Sequence, residues 1–269
     1  MRDVAQQWTG NQVTPNNWED VWLNQGFTTY IERMVQAQLW DLNFAYTEAF
    51  VGNTSMASQV TVYGMQDATY ASLHPVLHGD NPDNSFSIVP FEKGFQLLAY
   101  IMQSVLSYEA MEDYITYYIE SNSLTSINAF TERSTFSSFV ENYYDDADQV
   151  NEILAMVDYE EWIYEVGLDP TGTLNFTNSA TTAALNLANA YIALNGVSSP
   201  SNYADYNDFV SNQRVVFHQT ILHNSDTNTA ILTRIDNDLN ITGATDPEVR
   251  QRWYSIGLYL NYAPVYTPA

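Results

Sequence analysis

The chain has 269 residues, 45% hydrophobic and 14% aromatic, enough for one large or two ordinary domains with real cores. Thirty-two acids face eight bases, and the formal charge of −24 argues against nucleic acid, anionic membranes and a basic organelle-targeting segment. Without cysteine there is no disulfide or thiol chemistry, and no apolar run approaches the roughly eighteen residues of a membrane span.

The first residues are polar and lack the basic-then-apolar order of a signal peptide, so a soluble chain is expected, extracellular or cytoplasmic. The acidity reads first as solubility or salt adaptation and second as a match to a cationic partner. Lys93 is the only lysine. Three glycosylation sequons, at Asn53, Asn175 and Asn240, are what an Asn- and Thr-rich chain gives by chance.

In chain order, residues 3 to 8 read as the last turns of a helix and lead into Trp8-Thr9-Gly10-Asn11. A second helix is expected from about Asn17 or Trp18 to Trp40. Asn16 or Asn17 is its N-cap, Glu19 and Asp20 lie in its first turn, and Trp22, Phe27, Tyr30 and Met34 form its apolar stripe. It contains Trp22-Leu23-Asn24-Gln25-Gly26-Phe27-Thr28, where a mid-helix Gly26 costs about 1 kcal/mol relative to Ala. A third helix, Leu42 to Phe50, is expected to fray into the polar loop 52–55. Residues 60–85 read as irregular, with a turn at Asn81-Pro82-Asp83-Asn84.

The stretch Phe86-Ser87-Ile88-Val89-Pro90-Phe91-Glu92-Lys93-Gly94-Phe95 opens a helix from Glu92. Further helices are expected at Tyr108–Glu120 and Asn128–Tyr143. Asp145, Asp146 and Asp148 read as a solvated helix start, since no Gly or distal Glu follows at calcium-loop spacing. After Trp162-Ile163-Tyr164-Glu165-Val166-Gly167-Leu168-Asp169-Pro170 the composition shifts to Thr, Asn and Ala, which places a domain boundary after residue 170. Helices at about 178–195, 203–223, 227–237 and 246–260 follow.

These motifs resemble the zinc aminopeptidases of the gluzincin group, in the branch of the leukotriene hydrolase/aminopeptidase. That family carries H-E-x-x-H, then W-[TF]-G-N, then a Glu inside W-L-N-E-G nineteen positions after the second His. On this spacing the first His position falls on Arg2, the catalytic Glu on Asp3, the second His on Gln6 and the third ligand on Gln25. The family's Y-x-x-[VI]-x-Y-E-K-G falls on Phe86 to Gly94, so Phe86 and Phe91 stand where two tyrosines are expected. The resemblance implies a mainly α chain: the helical part of a thermolysin-like catalytic domain over 1–170, then a partial domain of antiparallel helix pairs over 171–269. The family's N-terminal β domain and its last helices are expected to have no counterpart in these residues.

It also implies a degenerate site. A catalytic zinc needs three lone-pair ligands and an open position. Arg2 has no lone pair and a permanent charge, while Gln6 and Gln25 offer only neutral amides. Asp3 is a methylene shorter than Glu, and Phe91 lacks the hydroxyl that would stabilise an oxyanion, a loss of about two to three orders of magnitude in rate. The remaining histidines are His74, His78, His218 and His223. Pro75 and Gly79 argue against a helix that would pair the first two, and the last two are five apart.

The expectation is a catalytically inactive aminopeptidase-like protein without a cofactor, acting as a structural or binding subunit through a protein partner or self-association. The competing reading is a zinc aminopeptidase, a fragment or one completed by another chain. A third is a peptide-binding module that keeps a residual cleft at Asn24, Gln25, Phe86 and Phe91.

Overall fold

A computed structural model of the chain describes residues 1–266. The architecture is helical, as the motifs imply. The chain divides into two compact units: Met1–Leu42 with Gly52–Asn175, and Asn43–Val51 with Phe176–Ala269. Residues 171–175 therefore group with the first unit, and Asn43–Val51 with the second.

The first unit opens with α1 (Arg2–Gln6), which widens into a π-helical stretch, Gln7–Gln12. Strand β1 (Val13–Pro15) pairs in parallel with β2 (Thr125–Ile127), Val13 opposite Thr125. Asn17 then caps a 3-10 turn, Trp18–Asp20, by accepting from the Asp20 amide. Asp20 is buried, and its carboxylate accepts from the Asn17 side chain and from the Ala129 amide. That inward pull separates the turn from α2 (Trp22–Leu39), where one unbroken helix was expected.

The next helix, α3 (Leu42–Gly64), runs far past Phe50 and corrects the expected fraying at 52–55. The small residues there are fitted rather than loose. Any side chain on Gly52 would collide with the Glu92 carboxylate, and Asn53 accepts from the Gln96 side chain at 2.9 Å. Residues 65–88 hold only 3-10 turns and bends, including Pro82–Asn84 capped by Asn81.

α4 (Val89–Tyr100) starts three residues before the expected Glu92, with Pro90 in its first turn and the Ser87 hydroxyl accepting from the Val89 amide. It packs along α2. The pair brings Trp22, Leu23 and Phe27 together with Phe95, Leu97 and Leu98 in full burial. α5 (Tyr108–Ser121) closes the core, with Tyr118 stacked on Phe27 at 4.0 Å between ring centroids. α6 (Ala129–Tyr143), α7 (Ala147–Met156) and α8 (Tyr159–Tyr164) each begin on a side-chain cap, from Asn128, Asp146 and Asp158.

The second unit is built on α9 (Ser179–Leu194), α10 (Ser211–His223), α11 (Thr229–Leu239) and α12 (Pro247–Tyr259). α10 packs on both α9 and α12 around Leu187, Tyr191, Phe217, Ile231 and Trp253. Within this unit, Asn178 donates to the Asn43 carbonyl and the Thr47 hydroxyl, and Asn212 donates to Glu48. The helix expected over 203–223 is broken into a 3-10 turn, Tyr203–Asp208, and α10. The Tyr206 hydroxyl lies 2.8 Å from His218 Nε2. A straight helix would hold residues twelve apart at about 18 Å, so the chain must fold back.

Candidate active site

The two N-terminal motifs interlock. The Thr9 and Thr28 hydroxyls are 2.8 Å apart, and the Gln6 amide donates to Asn24 Oδ1 at 3.2 Å. A Cβ on Gly10 would fall 2.9 Å from both the Asn24 side chain and Gln6 Cγ, so a larger residue there would push that pair aside. This contact sets α1 beside the first turns of α2, with Arg2 facing Gln25.

The Arg2 guanidinium is the centre of the site. Its Nη1 donates to Glu32 Oε2 at 3.2 Å, and its Nη2 donates to the Thr29 hydroxyl at 3.1 Å and to Gln25 Oε1 at 3.4 Å. From the α4 side, the ring of Phe91 lies 4.6 Å from the guanidinium carbon, and Phe86 meets Phe91 edge to face at 5.6 Å. Arg2 is only part-buried, with 35% of its side chain exposed, so its ion pair with Glu32 is screened and worth about 1 kcal/mol or less.

The structure thus brings Arg2, Gln25 and Phe91 into one cluster, with Phe86 behind Phe91 and with Gln6 and Asn24 alongside. Asp3 is exposed. Thr29 and Glu32 belong to the site and were missed in the sequence. The signal was present, because Gln25, Thr29 and Glu32 follow at i, i+4 and i+7 on one face of α2.

Behind this cluster α2 and α4 are fixed by a buried pair. Arg33 Nη1 and Nη2 donate to Glu92 Oε2 and Oε1, both at 2.8 Å, and the Arg33 guanidinium covers the Phe95 ring at 4.2 Å. Lys93 is buried as well and donates to the Glu165 carbonyl at 2.6 Å; desolvation pulls its ammonium down to about 8.

A zinc ion is the group the motif resemblance implies, and the donor set does not fit it. Arg2 offers no lone pair. The Gln6 amide is turned to donate to Asn24, and Gln25 Oε1 already accepts from Arg2. Among the described residues no three His, Cys, Asp or Glu side chains converge where a metal could be held. His74 lies elsewhere, its Nδ1 3.0 Å from Asp20; that hydrogen bond raises its proton affinity. His78 sits in the left-handed region with φ 52°, and His218 is fully buried beside Tyr206.

Comparison with known proteins bears on the family and the fold. Leucine aminopeptidase 2 of Emericella nidulans is 29% identical over 257 residues, covering 95% of this chain and 40% of that protein. Its namesake from Aspergillus oryzae is also 29% identical, over 99% of this chain and 42% of that protein. The chain therefore spans less than half the length of these relatives. Among solved structures, yeast LTA4 hydrolase in complex with bestatin superposes with a TM-score of 0.84 at 25% identity, over 99% of this chain and 44% of that one. Residues 1–159 match the Peptidase family M1 domain, and the chain belongs to that family.

Proposed function

We propose that this chain is an aminopeptidase-like member of the family that has lost zinc-dependent hydrolysis and serves as a structural or binding subunit. The observation that carries this reading is the Arg2 guanidinium. It stands where the motif spacing assigns the first metal ligand and is hydrogen-bonded to Gln25, where the spacing assigns the third. Without a metal, a bound water keeps its bulk acidity and is a weak nucleophile. Phe91 offers a developing oxyanion no hydrogen bond in place of the expected tyrosine.

A binding role has support in exposed apolar surface on the first unit. Leu39 and Trp40 at the end of α2 are more than half exposed. Beside them an apolar cleft of about 330 Å³ runs between α2 and α5, walled by Ile31, Met34, Val35 and Ile115. A protein partner or a second copy of the chain would bury it, and nucleic acid is disfavoured by the charge of −24.

The competing reading, a zinc aminopeptidase, draws on the names of the relatives, which are leucine aminopeptidases. Zinc content after equilibration with the metal and removal of excess separates the two. A value near zero is expected, with no release from a leucyl anilide substrate. Stoichiometric zinc together with turnover would overturn the proposal.

A further inference from the structure

We infer that the Arg2 guanidinium takes the place of a metal as the cation tying α1 to α2, and that it closes the site to divalent cations. The inference rests on the reading above, and it concerns what fills the site rather than what the site has lost.

Three acceptors on α2 converge on one guanidinium from a single stripe: Gln25 Oε1, Thr29 Oγ1 and Glu32 Oε2, at 3.4, 3.1 and 3.2 Å. The Phe91 ring from α4 closes over it at 4.6 Å. A planar, permanently charged fork with donors in fixed directions suits this layout, and a lysine ammonium does not reach three acceptors spread along two helical turns. Gln25 Oε1, Thr29 Oγ1 and Glu32 Oε2, which could otherwise serve a hard cation, already accept from Arg2. A divalent ion arriving here would meet a fixed positive charge within van der Waals range of its donors. Removing Arg2 would both loosen α1 and free Gln25, Thr29 and Glu32 as oxygen donors.

The test has two arms. In the first, thermal unfolding is followed for the wild type, Arg2→Ala, Arg2→Lys and the milder Glu32→Gln, each with a chelator and with added zinc. The wild type is expected to melt at the same temperature in both conditions. Arg2→Ala should fall by about 2–5 °C, Arg2→Lys should recover little of that, and Glu32→Gln should lie between. An Arg2→Ala variant that melts like the wild type would overturn the tie.

In the second arm, zinc affinity is measured calorimetrically for Gln6→His/Gln25→Glu and for the same pair with Arg2→Ala. Both offer the same two added ligands and differ only in the cation. At least tenfold tighter binding is expected once Arg2 is removed, and equal affinities would overturn the exclusion. A wild-type protein that retains zinc and turns over substrate would sink the proposed function. Failure of the melting arm alone would sink only the tie.

Discussion

Gly26 and Gly94 meet backbone to backbone where α2 packs on α4: a Cβ on Gly26 would fall 2.7 Å from the Gly94 Cα, and one on Gly94 2.8 Å from the Gly26 Cα. Alanine at either position is a better helix former by about 1 kcal/mol, yet the contact leaves it no space. Gly26→Ala and Gly94→Ala are each expected to destabilise the protein by about 1–3 kcal/mol in urea unfolding. Gly64→Ala, where a Cβ meets nothing within 4 Å, is the control and should be neutral or stabilising.

Arg33 and Glu92 form a bidentate pair with side chains only 7% and 8% exposed. Leaving one charge buried without its partner is costly, so Arg33→Ala or Glu92→Gln should each lose about 3–5 kcal/mol. Replacing both with methionine should cost clearly less than either single change. Equal losses in the single and double variants, measured by denaturant unfolding, would remove the pair as the cause.

His218 gives the second unit an acid-sensitive term. Burial first, then the charges of Arg252 and Arg214, hold its imidazole down to about 3. The unfolded state therefore takes up the proton first. Stability from this group is complete above about pH 6.5 and is lost as the pH falls towards 3. Stability of wild type minus His218→Asn, measured across pH 3 to 7, should rise with pH at no more than about 1.4 kcal/mol per unit.

Glu132 in the first unit acts with the opposite sign. Burial pushes its carboxyl up to about 7, while the Tyr114 hydroxyl donates to it at 2.6 Å. The folded state keeps the proton longer than the unfolded one. The contribution is full below the unfolded value of about 4.5 and is lost as the pH rises through 7. Glu132→Gln should therefore gain on the wild type between pH 4.5 and 8. A flat difference across that range would show that the carboxyl titrates normally.

The helix starts at Asn128, Asp146, Asn178 and Asp246 were legible because each is a local event, a short side chain accepting from amides two or three residues on. The site's frame was legible for a different reason: Thr9 and Thr28, Gly10 and Asn24 touch directly, so their spacing is constrained. What escaped depends on partners distant in sequence. Gly52 looks like a helix breaker until Glu92 is placed beside it. Tyr206 fits a long helix until His218 draws it back. In each case local propensity was overruled by a contact that the sequence pattern does not encode.

The grouping of Asn43–Val51 with Phe176–Ala269 has a consequence for synthesis. Phe50 and Val51 pack on the core that Leu187, Phe217 and Trp253 form, yet the whole of Gly52–Asn175 is translated in between. At about 5–20 residues per second that interval is roughly 6 to 25 s, during which the first half of α3 waits with its apolar face uncovered. A polypeptide begun at residue 171 would carry the complementary defect, an open seat where that half-helix belongs. The second unit is thus complete only in a chain that contains both pieces, and the nascent protein carries that uncovered apolar face between the two.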